Sequence, residues 1–213
     1  MSNIINPLIE EYIRALTPSS ESLLRSMEDY ATANHVPIVQ PEVAKLLEVI
    51  TRISGGKNVL EVGTAIGYSA LVFCGAMDQG RVATIERRKD MLLMAEAFIK
   101  ESGHDQQIEM IHGSAEEILP TLKEEFDIIF LDAAKGRYLD FLNSCSKLLK
   151  HGGILISDNV LYKGMVASDE YVVRRKKTIV TRMRTYLDYI MENPDFSSCV
   201  IPIGDGVAIS YKV

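Results

Sequence analysis

The segment Glu61-Val62-Gly63-Thr64-Ala65-Ile66-Gly67-Tyr68-Ser69, entered from the apolar run Asn58-Val59-Leu60, constrains this chain more than any other. A short buried strand runs into a glycine-rich turn and then into a helix-forming stretch. That order opens the ligand pocket of doubly wound α/β sheets, at the carboxyl end of the first strand. A dinucleotide fingerprint needs a second glycine two residues after the first, so that backbone can approach a pyrophosphate; here that position is Ala65. No Gly-Lys-Ser/Thr triplet follows, which excludes a P-loop.

The rest of the chain extends the same rhythm. Apolar runs at Asn58–Val62, Arg81–Ile85, Ile108–His112, Phe126–Leu131 and Ile154–Ser157 read as strands covered on both faces. Amphipathic stretches at Gly67–Met77, Lys89–Ser102, Ala115–Lys123 and Tyr138–Leu149 read as the helices between them. Residues 7–53 read as further helices, with Pro18-Ser19-Ser20-Glu21 as a start signal and Pro37 and Pro41 as breaks. Residues 169–192 read as one long helix ending near Asn193-Pro194. The tail, Cys199–Ile203 and Val207–Tyr211 about Gly204-Asp205-Gly206, reads as a hairpin. The expected fold is α/β and Rossmann-like: a mostly parallel seven-stranded sheet, helices on both faces, a C-terminal antiparallel hairpin and extra N-terminal helices. That layout is similar to class I methyltransferases, and layout alone does not assign a function. One domain is expected over residues 1–213, a helical cap over 1–55 and a core over 56–213.

Composition narrows the partners. A net charge of −6 gives no global attraction for nucleic acid, so any such partner needs a local patch. No apolar run approaches the roughly 18 residues of a membrane span, and the N-terminus has no signal-peptide pattern, so a cytoplasmic protein is expected. Cys74, Cys145 and Cys199 lack CxxC spacing and read as buried free thiols. The four histidines show no zinc spacing.

Ligands in open α/β sheets bind at the carboxyl edge, so the residues at strand ends carry the chemistry. Four ends offer acids: Glu61, Glu86, Asp132 and Asp158. Each alone reads equally as a helix cap or a solvated residue. Together, without matching bases, they call for a cation. Glu86 lies about 20 residues past the turn, where an acid accepts ribose hydroxyls, or caps the helix beginning near Arg88. A nucleoside-bearing, non-phosphorylated, cationic cofactor suits this edge, and S-adenosyl-L-methionine is the candidate. Asp132, Asp158 and Asn159 are hard oxygen donors that suit Mg²⁺, Mn²⁺ or Ca²⁺, though Asp-Asn is also a plain turn. Lys135 is a candidate general base, since a nearby divalent cation disfavours its ammonium form; its alternative is a solvated loop lysine.

Together the Glu61–Ser69 turn, Asp132-Ala133-Ala134-Lys135-Gly136-Arg137-Tyr138 and Asp158-Asn159-Val160-Leu161 resemble the cation-dependent O-methyltransferases of the catechol and caffeoyl-CoA type. The resemblance covers nearly the whole chain. Within that family, His35-Val36-Pro37-Ile38, Asp158–Gly164 and Ile201–Gly206 are most similar to bacterial tRNA 5-hydroxyuridine methyltransferases, which make 5-methoxyuridine at the wobble position. It implies Mg²⁺ on Asp132, Asp158 and Asn159, with Asp132 and Lys135 as catalytic residues. It also implies that Gly63, Ser69, Glu86, Ala115 and Asp132 line the cofactor site, with Val39 at its edge; Glu61, Thr64, Gly67, Tyr68, Arg87, Gly113, Ser114 and Tyr138 are expected cofactor contacts beside them. Ser114 departs from the family, which often has Asp there, so the adenine contact shifts to backbone and Ala115. A homodimer through the N-terminal helices is expected from the same resemblance.

The chemistry so implied is in-line methyl transfer to one of two vicinal oxygens, which describes catechols and 5-hydroxyuridine alike. Arg174-Arg175-Lys176-Lys177, Arg182 and Arg184 load one segment with positive charge, and Lys135, Arg137 and Lys163 lie on loops near the metal residues. Of these, Lys135, Arg137, Lys163, Arg174, Arg175, Lys177 and Arg182 are the expected contacts to a tRNA anticodon loop. The competing reading is a solvated basic face beside Asp169 and Glu170. It goes with a small-molecule catechol or hydroxycinnamoyl-CoA acceptor under an apolar cover of Val160, Leu161, Met165 and Val166. A non-catalytic binding protein on the same fold is the remaining alternative.

Overall fold

The computed structural model describes residues 4–18 and 22–213. Three helices precede the first strand: α1 (Pro7–Leu16), α2 (Ser22–Asn34) and α3 (Pro41–Ser54). The breaks fall where prolines forbid helix. Residues 36–40 form no helix or strand, Gln40 is extended, and Pro41 then starts α3 at a position that needs no amide hydrogen. The expected start signal at Pro18–Glu21 lies largely outside the described residues.

The core then alternates β1 (Asn58–Val62), α4 (Tyr68–Ala76), β2 (Arg81–Glu86), α5 (Lys89–Ser102), β3 (Ile108–His112), α6 (Ala115–Ile118), β4 (Phe126–Leu131), α7 (Tyr138–Leu148), β5 (Leu149–Ser157), α8 (Lys177–Glu192), β6 (Phe196–Ile201) and β7 (Val207–Lys212). The seven strands form one sheet in the order β3-β2-β1-β4-β5-β7-β6. Only β7 runs against its neighbours, inserted between β5 and β6. The sequence order reverses at β1 and β4, so the crevice opens beyond their carboxyl ends.

Side-chain alternation divides the core into two apolar layers. Val59, Ile128, Phe130 and Ile156 face α3, α4 and α5, while Leu60, Val62, Ile129 and Leu131 face α7 and α8. Phe130 meets Phe73 edge-to-face at 5.7 Å, and Tyr138 meets Tyr186 at 5.6 Å on the opposite layer. Helix α4 is apolar all round because α2, α3 and α5 cover it, so it lacks the one-sided pattern of a surface helix.

Four expectations are corrected. The helix expected over Ala115–Lys123 ends at Ile118 and continues as a 3-10 turn over Leu119–Thr121, because Pro120 has no amide to continue it. Strand β5 starts at Leu149, five residues early: Leu149 pairs with Phe126, and a register shift absorbs the polar Lys150–Gly153 stretch before Ile154. The single helix over 169–192 is two 3-10 turns, Asp169–Tyr171 and Arg174–Lys176, before α8. Val172 and Val173 are extended, and four successive cations at a helix N-terminus oppose its dipole. Finally, Cys74 and Cys145 are buried but Cys199 is exposed, since β6 is an edge strand. Among the described residues no helix is long and apolar enough to cross a membrane.

Candidate active site

The two candidate catalytic strands are stapled end to end by backbone. Asp132 N–H donates to Val62 C=O at 3.0 Å, and Asp158 N–H donates to Leu131 C=O at 3.0 Å. These bonds carry the sheet pairing one residue past the strands and set the two carboxylates side by side. Tyr138 locks the same corner from beneath. Its hydroxyl lies 3.0 Å from both the Leu131 and Asp158 carbonyl oxygens, in a fully enclosed position. Tyr138 therefore braces the site and does not line it.

A cavity of about 430 Å³ opens above these strand ends. Of the expected residues, Val39, Gly63, Glu86, Arg87, Gly113, Ala115, Asp132, Lys135, Asp158 and Asn159 line it. Glu61, Thr64, Gly67, Tyr68, Ser69 and Ser114 do not. Tyr68 is buried, with its hydroxyl on Glu28 at 2.6 Å, and Ser114 bonds Glu117 at 2.8 Å. Gln40, Met91, Phe141 and Asp205 line the cavity although nothing local in the sequence marks the first three. Asp205 stands in the Gly-Asp-Gly turn, where its residue type reads only as a turn former.

The turn itself is held by two acids. Glu86 accepts the Ala65 N–H at 3.0 Å and the Arg88 N–H at 2.8 Å. It holds the Arg88 amide just ahead of α5 without capping that helix, which has no side-chain cap, and it presents its carboxylate to the cavity. Ala65 takes a left-handed φ of 46°, a strained setting that the Glu86 bond helps hold. Glu61 was expected at the crevice, yet it points into the core and is fully buried. Ser69 donates to one carboxylate oxygen, and Thr84 donates to the other at 2.5 Å while touching Thr64. Its role is to tie β1, β2 and α4 together beneath the turn.

Burial pushes the Glu61 carboxyl up to about 7 from 4.5, against the two hydroxyl bonds that favour ionisation. Between those values the folded protein holds a proton that the unfolded chain releases. Stability therefore falls as pH rises through that window, by up to about 3 kcal/mol for this group. We expect Glu61→Gln to lose less stability than the wild type between pH 4.5 and 8 in urea unfolding; equal losses would mean the carboxyl ionises freely.

Asp132 and Asp158 share this strain. Burial first, and then the Asp158 charge, hold Asp132 well above the usual carboxylate range; burial also raises Asp158. Lys135 opposes both shifts. Asn159 follows at a left-handed φ of 56°, with its N–H on the Asp158 carboxylate at 2.7 Å. Its side-chain amide makes no hydrogen bond among the described residues. Two repelling carboxylates and a free amide oxygen fit a hard divalent cation held with substrate oxygens or water. Among the described residues, no three His, Cys, Asp or Glu side chains form a metal cluster by themselves.

The expected cations divide. Arg137 pairs with Glu116 at 3.3 Å and Asp140 at 2.7 Å, and Arg184 with Asp169 at 2.7 Å, which spends their charge. Arg184 also bonds the Met165 and Val166 carbonyls, so it braces that loop. Arg182 donates to Gly136 C=O at 3.2 Å. Arg174, Arg175 and Lys177 are exposed and make no ion pair among the described residues, and Lys163 is likewise exposed. Lys135 and Lys176 lie over the same Tyr162 ring, 6.0 and 5.8 Å from its centroid. That shared ring places the basic segment beside the cavity.

The profile of the O-methyltransferase family matches residues 18–213. The chain belongs to that family. This O-methyltransferase is 32% identical to the catechol O-methyltransferase of Niastella koreensis, over 79% of this chain and 80% of that one. Its fold matches a solved structure provisionally named a caffeoyl-CoA O-methyltransferase, from Staphylococcus aureus. The TM-score is 0.89 at 34% identity, over 97% of this chain and all of the other. An O-methyltransferase from Bacillus cereus, solved in complex with SAH, superposes with a TM-score of 0.85 at 25% identity, over 97% of each chain.

Proposed function

We propose that this O-methyltransferase moves the methyl group of S-adenosyl-L-methionine to one of two vicinal oxygens on its acceptor, with a divalent cation bound. The observation that carries this reading is the pair of repelling carboxylates, Asp132 and Asp158, at the floor of a cavity whose far end presents Glu86. Asp132, Asp158 and Asn159 would hold the cation, which would supply Lewis acidity that lowers the acceptor hydroxyl's pKa. Glu86 accepts from the cofactor's ribose, and Gly63 and Ala115 let its nucleoside lie against backbone. The cofactor's positive sulfonium suits a cavity edge that carries the Glu86, Asp132 and Asp158 carboxylates. Lys135 stands beside both aspartates and, in the neutral amine form that a bound cation would favour, takes the acceptor's proton.

The named relatives favour a catechol-type acceptor, such as a hydroxycinnamoyl thioester. One observation favours the larger acceptor, tRNA 5-hydroxyuridine: the unpaired Arg174, Arg175 and Lys177 flank Lys176, which lies over the Tyr162 ring with Lys135, and suit a polyanion near the reacting group. Coenzyme A phosphates fit the same cations. The deciding experiment incubates the protein with S-adenosyl-L-methionine and Mg²⁺, with and without EDTA. Caffeoyl-CoA, catechol and an anticodon stem-loop bearing 5-hydroxyuridine are offered separately. An EDTA-sensitive gain of one methyl on any of them supports the reaction and names the class; EDTA-insensitive transfer removes the cation from it.

Reversing Arg174, Arg175 and Lys177 to Glu is expected to weaken binding of the polyanionic acceptor by about tenfold or more at 50 mM salt and much less at 300 mM. Catechol turnover stays unchanged in the same variant. Equal loss at both salt concentrations would mean the patch acts through folding.

A further inference from the structure

A second, open cavity of about 930 Å³ adjoins the first. The two share Gln40, Asn159 and Asp205. Its outer wall is α1, through Pro7, Glu10, Glu11 and Ala15. Yet α1 buries no residue of its own, and its apolar side chains Leu8, Tyr12 and Leu16 are exposed. Helices are normally held by an apolar face packed on the core, and this one is not.

What holds it is one arginine. Arg14 bonds both oxygens of Glu42, at 3.1 and 2.7 Å, together with Gln40 and Glu10. Glu42 is 4% exposed, and Arg14 is its one ionic partner among the described residues. Bidentate guanidinium–carboxylate pairs fix orientation as well as distance. The latch also grips Gln40, whose neighbours Val39 and Val43 line the first cavity.

We propose that α1, latched by Arg14 to Glu42 and Gln40, is the outer wall of a second acceptor subsite, which takes the part of the acceptor beyond the reacting ring. The wall chemistry states what that part is. Three carboxylates, Glu10, Glu11 and Asp205, face the cations Arg14 and Lys163 and the amides of Gln40 and Asn159, so the wall is polar with a small negative excess. They suit a neutral polar group that both donates and accepts, such as ribose hydroxyls or amides. A single-ring acceptor leaves the subsite empty. Arg14 borders the subsite, but its guanidinium is taken up by Glu42, Gln40 and Glu10, so it is a positioning residue that acts through α1. The kinetic part rests on the methyl-transfer reading above; the exchange part does not.

The test is the double variant Arg14→Met/Glu42→Gln, which removes the latch without stranding a buried carboxylate. Its melting temperature is expected within a few degrees of the wild type. Amide hydrogens of residues 7–16 are expected to exchange about tenfold faster. For whichever large acceptor is methylated, caffeoyl-CoA or the stem-loop, KM rises about tenfold with kcat within twofold, while the KM for catechol is unchanged. Unchanged exchange in residues 7–16 overturns the latch. Faster exchange with unchanged KM for the large acceptor, or an equal rise for catechol, overturns the subsite. A wild-type protein that methylates none of the three acceptors overturns the methyl-transfer reading and the subsite with it, and the exchange rates then decide the latch alone.

Discussion

Asp132→Asn is expected to lower methyl transfer by about three orders of magnitude or more and, at the same time, to raise the stability of the unliganded protein. The two effects have one cause. Asp132 lies where burial and the neighbouring Asp158 both disfavour its charge, and only Lys135 relieves it. Such an arrangement costs folding energy and is retained at a site that must meet a cation. Asparagine keeps the shape, since the Asp132 N–H to Val62 bond is backbone, and removes the charge. The folded carboxyl sits above its unfolded range, so its destabilising effect grows as pH rises. The stability gain in the variant is therefore larger at pH 8 than at pH 5. Thermal melts at both pH values, beside a methyl-transfer assay, read this directly. An active variant would mean that Asp132 is a structural acid; an inactive variant with lowered stability would mean the charge is satisfied without a ligand.

Gly63→Ala is expected to lower stability by about 3 kcal/mol or more and to abolish cofactor binding. Gly63 adopts φ 113°, outside what side-chain-bearing residues readily accept. A Cβ there would sit 2.4 Å from the Asp132 carbonyl oxygen and 2.8 Å from its carbon. Both atoms are backbone at the end of β4, so neither can rotate away, and relief requires the strands to part at the site. Gly75→Ala is the control. Gly75 lies within α4 with no atom within 4 Å of an added Cβ, so alanine there is expected to stabilise by about 0.5–1 kcal/mol. Urea unfolding and isothermal titration with S-adenosyl-L-methionine check both variants. A Gly63→Ala protein that binds normally would mean the turn has room the backbone does not suggest.

Much of this architecture is legible in the order of residues alone. Four of the five core parallel strands begin and end within one residue of where apolar runs place them, because strands covered on both faces leave unbroken hydrophobic stretches. The glycine turn and the acids at three strand ends, Glu86, Asp132 and Asp158, fall where the open sheet puts its crevice. Glu61 departs from its expected place for an equally physical reason. A strand residue's face is set by two-residue alternation, and Glu61 shares the side of Val59, toward α4. An acid is so rarely buried that its residue type points to solvent or ligand.

The order of strands and turns, the crevice and the residue types at its edge were determined by the sequence itself, since each follows from local periodicity and from the stereochemistry of glycine and proline. The tertiary structure alone decided which charges are free and which are spent. Arg14 and Glu42 are 28 residues apart, and Arg184 and Asp169 are 15 apart. Nothing in the sequence distinguishes those arginines from the unpaired Arg174 and Arg175. Coulomb pairing depends on distance in space and on burial, which no local pattern encodes, so the cationic rim, the buried acid beneath the turn and the latch on α1 appear only once the chain has closed on itself.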